Sequence, residues 1–69
     1  MDTVRIECML VNGQGNVIQN WTIMQGSVQH DPQIYVQRAL EVKRTQSINH
    51  TARVRVVSEQ TNRVVDIFP

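Results

Sequence analysis

Thr3-Val4-Arg5-Ile6-Glu7-Cys8-Met9-Leu10-Val11 is the stretch on which the fold turns, because its side chains alternate. Val4, Ile6, Cys8 and Leu10 point one way, while Thr3, Arg5, Glu7 and Met9 point the other, the period of two of a strand with one buried face. Asn12-Gly13-Gln14-Gly15-Asn16 follows, with two glycines able to take positive φ. A β-branched and aromatic run from Val17 to Met24 comes next. This order of strand, turn and strand predicts a hairpin. With Gly13-Gln14 at the centre of a two-residue type II′ turn, Leu10 faces Val17, Ile6 faces Trp21 and Val4 faces Ile23, giving one nearly apolar face. A slip of one residue would turn Asn20 and Thr22 inward and expose Trp21. Gln19 opposite Cys8 is the flaw in that face.

Beyond a connector from Gly26 to His30, Asp31-Pro32 starts a helix. Asp accepts from backbone N–H groups that have no helical partner, and Pro at the first position has no donor to leave unpaired. The helix is predicted from about Pro32 to Thr45, with Tyr35, Val36, Ala39, Leu40 and Val42 as its apolar stripe and Ile34 exposed off it. Gln33, Gln37, Arg38, Glu41 and Arg44 cover the other side, and Lys43 and Arg44 suit the negative end of the helix dipole. Gln46 to Thr51 is a polar link. Ala52 to Ser58 and Arg63 to Phe68 then form a second hairpin around Glu59-Gln60-Thr61-Asn62, a four-residue loop with Asn62 in the left-handed region. This register pairs Ser58 with Arg63, Val56 with Val65 and Val54 with Ile67. On the other face it sets Val57 beside Val64, and Arg55 beside Asp66 as a cross-strand ion pair.

The expected architecture is α+β, in the order ββαββ: a four-stranded, mainly antiparallel sheet of two hairpins with one helix on one face, forming a single domain over residues 1–69. A right-handed crossover through the helix is the default. The helix leading through a polar link into Val54-Arg55-Val56-Val57 and then Thr61-Asn62-Arg63-Val64-Val65 resembles the C-terminal half of small phage-encoded proteins, some of which inhibit host defences. The likeness covers about thirty residues. Such proteins usually have Gly after the Thr, where this chain has Asn62. The resemblance implies a phage or mobile-element setting inside a host cell and carries over no functional residue.

A chain of 69 residues leaves room for one small domain, whose core barely offsets the conformational entropy lost on ordering. Its single Cys8 allows no internal disulfide and no cysteine pair for zinc, so association with a partner or a second copy, a homodimer, is the expected supplement. With 41% hydrophobic and 19% charged residues the composition is globular, and the eight Gln and five Asn make the polar fraction largely uncharged amide. No apolar run is long enough for a bilayer, so no membrane partner is expected. Met1 to Ile6 lacks the basic and apolar pattern of a secretory leader, which predicts a cytoplasmic protein, in the host cytoplasm if phage-encoded. The triplets Asn20-Trp21-Thr22 and Asn49-His50-Thr51 would be glycosylated only on a secretory route.

Catalysis is not expected. His30 and His50 lie in connectors, Asp31 is engaged as a helix cap and Cys8 is on the inward side of a strand, so no activated nucleophile is assembled. Gly13-x-Gly15 precedes a strand and lacks the third glycine of a phosphate-binding loop. No cofactor or metal site is expected. The basic residues are unevenly placed: Arg38, Lys43, Arg44, Arg53, Arg55 and Arg63 face only Glu41 and Glu59 within positions 38–63, a local +4, while the remainder is −3. That cluster is the candidate contact for a phosphate backbone. Stacking on single strands would need aromatics on the free sheet face, where only Phe68 is expected, Trp21 and Tyr35 being assigned to the core.

One helix cannot cover both faces of a sheet. The registers place Met9 beside Ile18, Thr3 beside Met24, Val57 beside Val64 and Phe68 beside Arg53 on the uncovered side. Met9, Ile18, Met24, Val57, Val64 and Phe68 are therefore the candidate protein interface. The function read from the sequence is a non-enzymatic interaction module, acting on a protein target or on its own copy. Occlusion of a host defence or regulatory protein is the form that the phage resemblance implies, and nucleic-acid binding through the basic cluster is the alternative.

Overall fold

The computed structural model describes residues 2–69, with Gln25 described by its backbone alone. Strand β1 is Thr3–Val11, β2 Val17–Gln29, β3 Thr51–Ser58 and β4 Val64–Phe68, and helix α1 is Pro32–Gln46 between β2 and β3. The strands form one antiparallel sheet in the order β2-β1-β3-β4, so the connection through α1 passes over β1, and β2 and β4 are the edges. The α+β class and the largely antiparallel sheet are as expected, and the strand order, which the sequence leaves open, places the alternating Thr3–Val11 segment at the centre. The core lies between that strand, β3 and the helix. Val4, Ile6, Cys8, Ala52, Val54 and Val56 pack with Tyr35, Ala39 and Val42, all buried.

The helix forms where its signals stand. Asp31 accepts from the Gln33 amide at 3.0 Å, Pro32 follows, and Lys43 and Arg44 occupy the last turn. The Ser47 amide closes the far end on the Lys43 carbonyl. Asp31→Ala removes this acceptor and is expected to cost about 1 kcal/mol, a fall in Tm of roughly 5 °C for a domain this small, read by thermal denaturation followed by circular dichroism. Ile34 is exposed as expected. Leu40 is exposed too, contrary to its place in the predicted stripe: the buried face narrows to Tyr35, Ala39 and Val42, and Val36 is half-buried.

The first hairpin departs from its expected register, and the turn is the first reason. The loop is one residue longer than a two-residue turn. The Gly15 amide bonds the Asn12 carbonyl, the Asn12 amide bonds the Asn16 carbonyl, and Gly15 stands at φ +84°. This is a type I turn closed by a glycine bulge. The Asn12 side chain holds it by accepting from both the Gln14 and Asn16 amides at 2.9 Å. Val11 therefore pairs with Val17, and further irregularities in β2 give Leu10 opposite Gln19, Cys8 opposite Thr22, Ile6 opposite Met24 and Val4 opposite Val28. Each extra residue on β2 reverses the alternation. Over positions 21–24 the accumulated shift from the expected register is three, an odd number. Trp21 is thereby turned to the uncovered face, while Met24 packs against the core with Leu10 and Val28. The segment from Gly26 to Gln29, expected as a connector, continues β2, with Gly26 at φ +70° in the bulge between the Arg5–Ser27 and Ile6–Met24 pairs.

The second hairpin keeps its loop and then slips. Asn62 stands at φ 58°, its amide bonds the Ser58 carbonyl, the Ser58 amide bonds the Arg63 carbonyl, and Val57 pairs with Val64 as expected. Val65 is then the extra residue of a bulge, so that Val56 pairs with Asp66, Arg55 with Ile67 and Val54 with Phe68. Phe68 moves from the uncovered face to the core side and Ile67 takes the opposite place. Asp66, expected to pair with Arg55, instead accepts from the Tyr35 hydroxyl at 3.3 Å. Burial, then the charge and hydrogen bond of Asp66, push the Tyr35 phenol above its ordinary pKa. The slip gives the core an aromatic ring and gives a buried phenol its partner.

Candidate functional site

On the uncovered face the central strands set Arg5 opposite Val57, Glu7 opposite Arg55 and Met9 opposite Arg53. Glu7 is 6% exposed although no helix lies above it. Its cover is a layer of arginines: Arg5 Nε donates to Glu7 Oε2 at 2.8 Å and Arg55 Nε to Oε1 at 2.7 Å. Arg5 also donates to the Asn62 side chain, and the Arg55 guanidinium carbon lies 3.9 Å from the centroid of the Trp21 ring. Trp21, Arg55, Glu7, Arg5 and Asn62 thus form one continuous polar and aromatic band. Stems of long charged side chains shield apolar neighbours, which explains why Val57, on this same face, is only 3% exposed. Burial alone raises the Glu7 pKa, but the hydrogen bonds and charges of Arg5 and Arg55 outweigh it and hold the carboxyl below its ordinary value.

Beside this band lies a cleft of about 230 Å³ lined by Met9, Trp21, Arg53, Arg55, Val64, Ile67 and Pro69, with contributions from all four strands or their ends. Its walls are mostly apolar, and Ile67 and Val64 are 62% and 45% exposed. Arg53 is exposed at the cleft and has no ion-pair partner among the described residues. A half-exposed tryptophan, a stacked arginine and an adaptable methionine around apolar rims are the side chains that anchor protein contacts.

The edges of the sheet are less available. On β2 the Trp21 amide donates to the Asn20 side chain at 2.9 Å and the Thr22 hydroxyl donates to the Asn20 carbonyl at 3.1 Å. On β4 the Ile67 amide donates to Asp66 Oδ1 at 2.9 Å. Backbone groups met by their own strand's side chains, together with bulges in both edge strands, offer a poor template to an incoming strand.

Of the interface expected from sequence, Met9 and Val64 line the cleft, Val57 lies on the same face but is buried, and Ile18 is exposed on β2 without lining the cleft. Met24 and Phe68 belong to the core side. Trp21, Ile67 and Pro69 are the lining residues the sequence reading missed; Gly15, read as the bulge glycine of a longer turn, was the available signal for Trp21. The basic cluster is not assembled. Arg38, Lys43 and Arg44 are on the helix, where Lys43 reaches the Pro69 carbonyl, Arg53 and Arg55 are on the opposite side of the sheet, and Arg63 follows the β3–β4 loop.

Cys8 is buried on the helix side, and that burial pushes its thiol above the ordinary pKa, away from thiolate chemistry. Glu59, exposed at the β3–β4 loop, has its carboxyl lowered by hydrogen bonds from Ser27 and Thr3. No helix is long and apolar enough to cross a membrane among the described residues. No family model matches the chain, and neither a curated protein nor a solved structure matches it.

Proposed function

We propose that the protein is a non-enzymatic interaction module that presents the uncovered sheet face to a protein target. The observation that carries this reading is the cleft itself: exposed Ile67 and Val64 flank Trp21 and two arginines on the one face the helix leaves open. The likeness of the C-terminal half to small phage-encoded proteins supplies the setting we propose, inhibition of a host defence or regulatory protein in the host cytoplasm by occlusion. Self-association through the same face would supplement the small core. Capture from a host lysate with the wild-type chain and with Ile67→Asp tests the reading. A protein retained by the wild type and lost with Ile67→Asp, but kept by the helix-face control Leu40→Asp, is the expected result. A captured set indifferent to Ile67→Asp and lost with Leu40→Asp would transfer the function to the helix. Light scattering of the same variants over a concentration series shows whether a dimer uses this face.

A second reading, binding of single-stranded nucleic acid, is favoured by one observation: Trp21 and the guanidinium groups of Arg53 and Arg55 share the open face. Against it stand the single aromatic lining the cleft, already stacked by Arg55, and the place of Arg38 and Arg44 on the helix, across the sheet from the face arginines.

A further inference from the structure

We propose that the cleft recognises an extended acidic peptide segment in which an apolar side chain and a carboxylate lie two positions apart. The inference deepens the proposed interaction function and rests on it. Charge selects the occupant. Arg5, Arg53 and Arg55 share the face with the single carboxylate of Glu7 on the central strands, leaving an excess of +2. Glu7 is committed to the Nε atoms of Arg5 and Arg55, so Arg53 remains without an acidic partner among the described residues. A guanidinium beside an apolar cleft is matched by a carboxylate, which it can meet with two parallel hydrogen bonds.

Dimension selects the extended form. The cleft runs from Trp21 on β2 across β1 and β3 to Ile67 and Pro69 at β4. Three strand spacings of about 4.8 Å give a width near 14 Å, the length of roughly four extended residues. Alternation sends side chains i and i+2 to the same side, roughly 6.6 Å apart. An apolar side chain seated against Ile67 of β4 and Pro69 just beyond it therefore has the i+2 side chain over neighbouring β3, where Arg53 stands. A nucleic-acid strand fits less well, since Trp21 is the one aromatic lining the cleft and Met9, Val64, Ile67 and Pro69 offer no ring on which a base could stack.

Trp21 is the only tryptophan of the chain, so its emission reports directly on the cleft. The probe is a capped peptide repeating leucine, serine, glutamate and serine, compared with its glutamine counterpart and with oligodeoxythymidylate. The acidic peptide is expected to give a saturable change in Trp21 emission. The glutamine peptide, or Arg53→Gln with the acidic one, should bind roughly tenfold more weakly. Arg53→Gln should leave the melting curve unchanged, as its side chain is exposed and in no ion pair among the described residues. Equal binding of the two peptides, tighter binding of the oligonucleotide, or no saturable response up to about 1 mM acidic peptide overturns the inference. If a captured target still depends on Ile67 while the peptides behave alike, the acidic-peptide inference falls and the face reading stands. If capture is indifferent to Ile67, both fall.

Discussion

Glu7→Gln is expected to destabilise the protein by about 2–3 kcal/mol, because it removes the carboxylate that bridges two arginines whose side chains are 22% and 29% exposed. In a domain of this size that lowers Tm by roughly 10–15 °C. The neutral amide can still accept one hydrogen bond but not balance two guanidinium groups, and Arg55, losing its anchor, also loosens from Trp21. A shift in tryptophan emission should accompany the fall in Tm. The pH dependence has a definite sign. The Glu7 pKa is lowered in the folded state, so its contribution is fully present above the unfolded carboxyl value and is lost as pH falls through the lower folded value. The wild type should therefore lose stability on acidification below about pH 4, and Glu7→Gln should show a flatter decline. Parallel acid profiles for the two proteins would show that the arginine bridges contribute nothing. Replacing Arg5, Glu7 and Arg55 together by apolar residues of similar volume should restore stability, as for other buried ion clusters.

What the sequence makes legible is whatever a local signal encodes. Asp31-Pro32 marks the helix start because capping chemistry is confined to a few consecutive residues, and the alternation of Thr3–Val11 names the inward side of the central strand because β1 pairs with β3 without a bulge. Asn62 announces its left-handed backbone because few other residues adopt it cheaply. Most of the bulges have no comparable marker. Val65 is one valine among several, and only the gain from burying Phe68 and bonding Tyr35 to Asp66 selects it as the extra residue, a tertiary effect. In β2 the turn glycine Gly15 is such a marker, but the two further extra residues between Val17 and Thr22 have none, and Trp21 and Thr22 exchange faces. Aromatic character argued for burying Trp21, yet the ring finds its partner in Arg55 on the open side. Since side-chain parity decides which residues reach the uncovered face, an odd number of uncounted residues in each hairpin, three by Trp21 and one at Val65, moved the candidate site. Met24 and Phe68 left it, and Trp21 and Ile67 entered. The expectation of an uncovered sheet face survived because it depends on a layer count, one helix over one sheet, which no register slip alters.

That layering implies a steep asymmetry between isoleucines. Ile6→Ala is expected to cost about 2–5 kcal/mol, since the side chain is 1% exposed on the central strand, opposite Met24 and Val56 and within the cluster that includes Tyr35, Ala39 and Val54. A domain of this length has roughly 3–10 kcal/mol in all. The substitution thus removes a large share, and the urea midpoint should fall steeply with little change in slope if the mutant still folds. Ile67→Ala, at 62% exposure on the opposite face, should stay within about 0.5 kcal/mol of the wild type. The contrast tests the arrangement on which recognition depends: a face can carry exposed apolar groups for a partner only if the core beneath is closed by other residues. Comparable losses from the two alanine substitutions would show that Ile67 is structural cover rather than contact surface, whereas an intact Ile67→Ala fold beside a crippled Ile6→Ala one leaves the cleft free to be altered for binding alone.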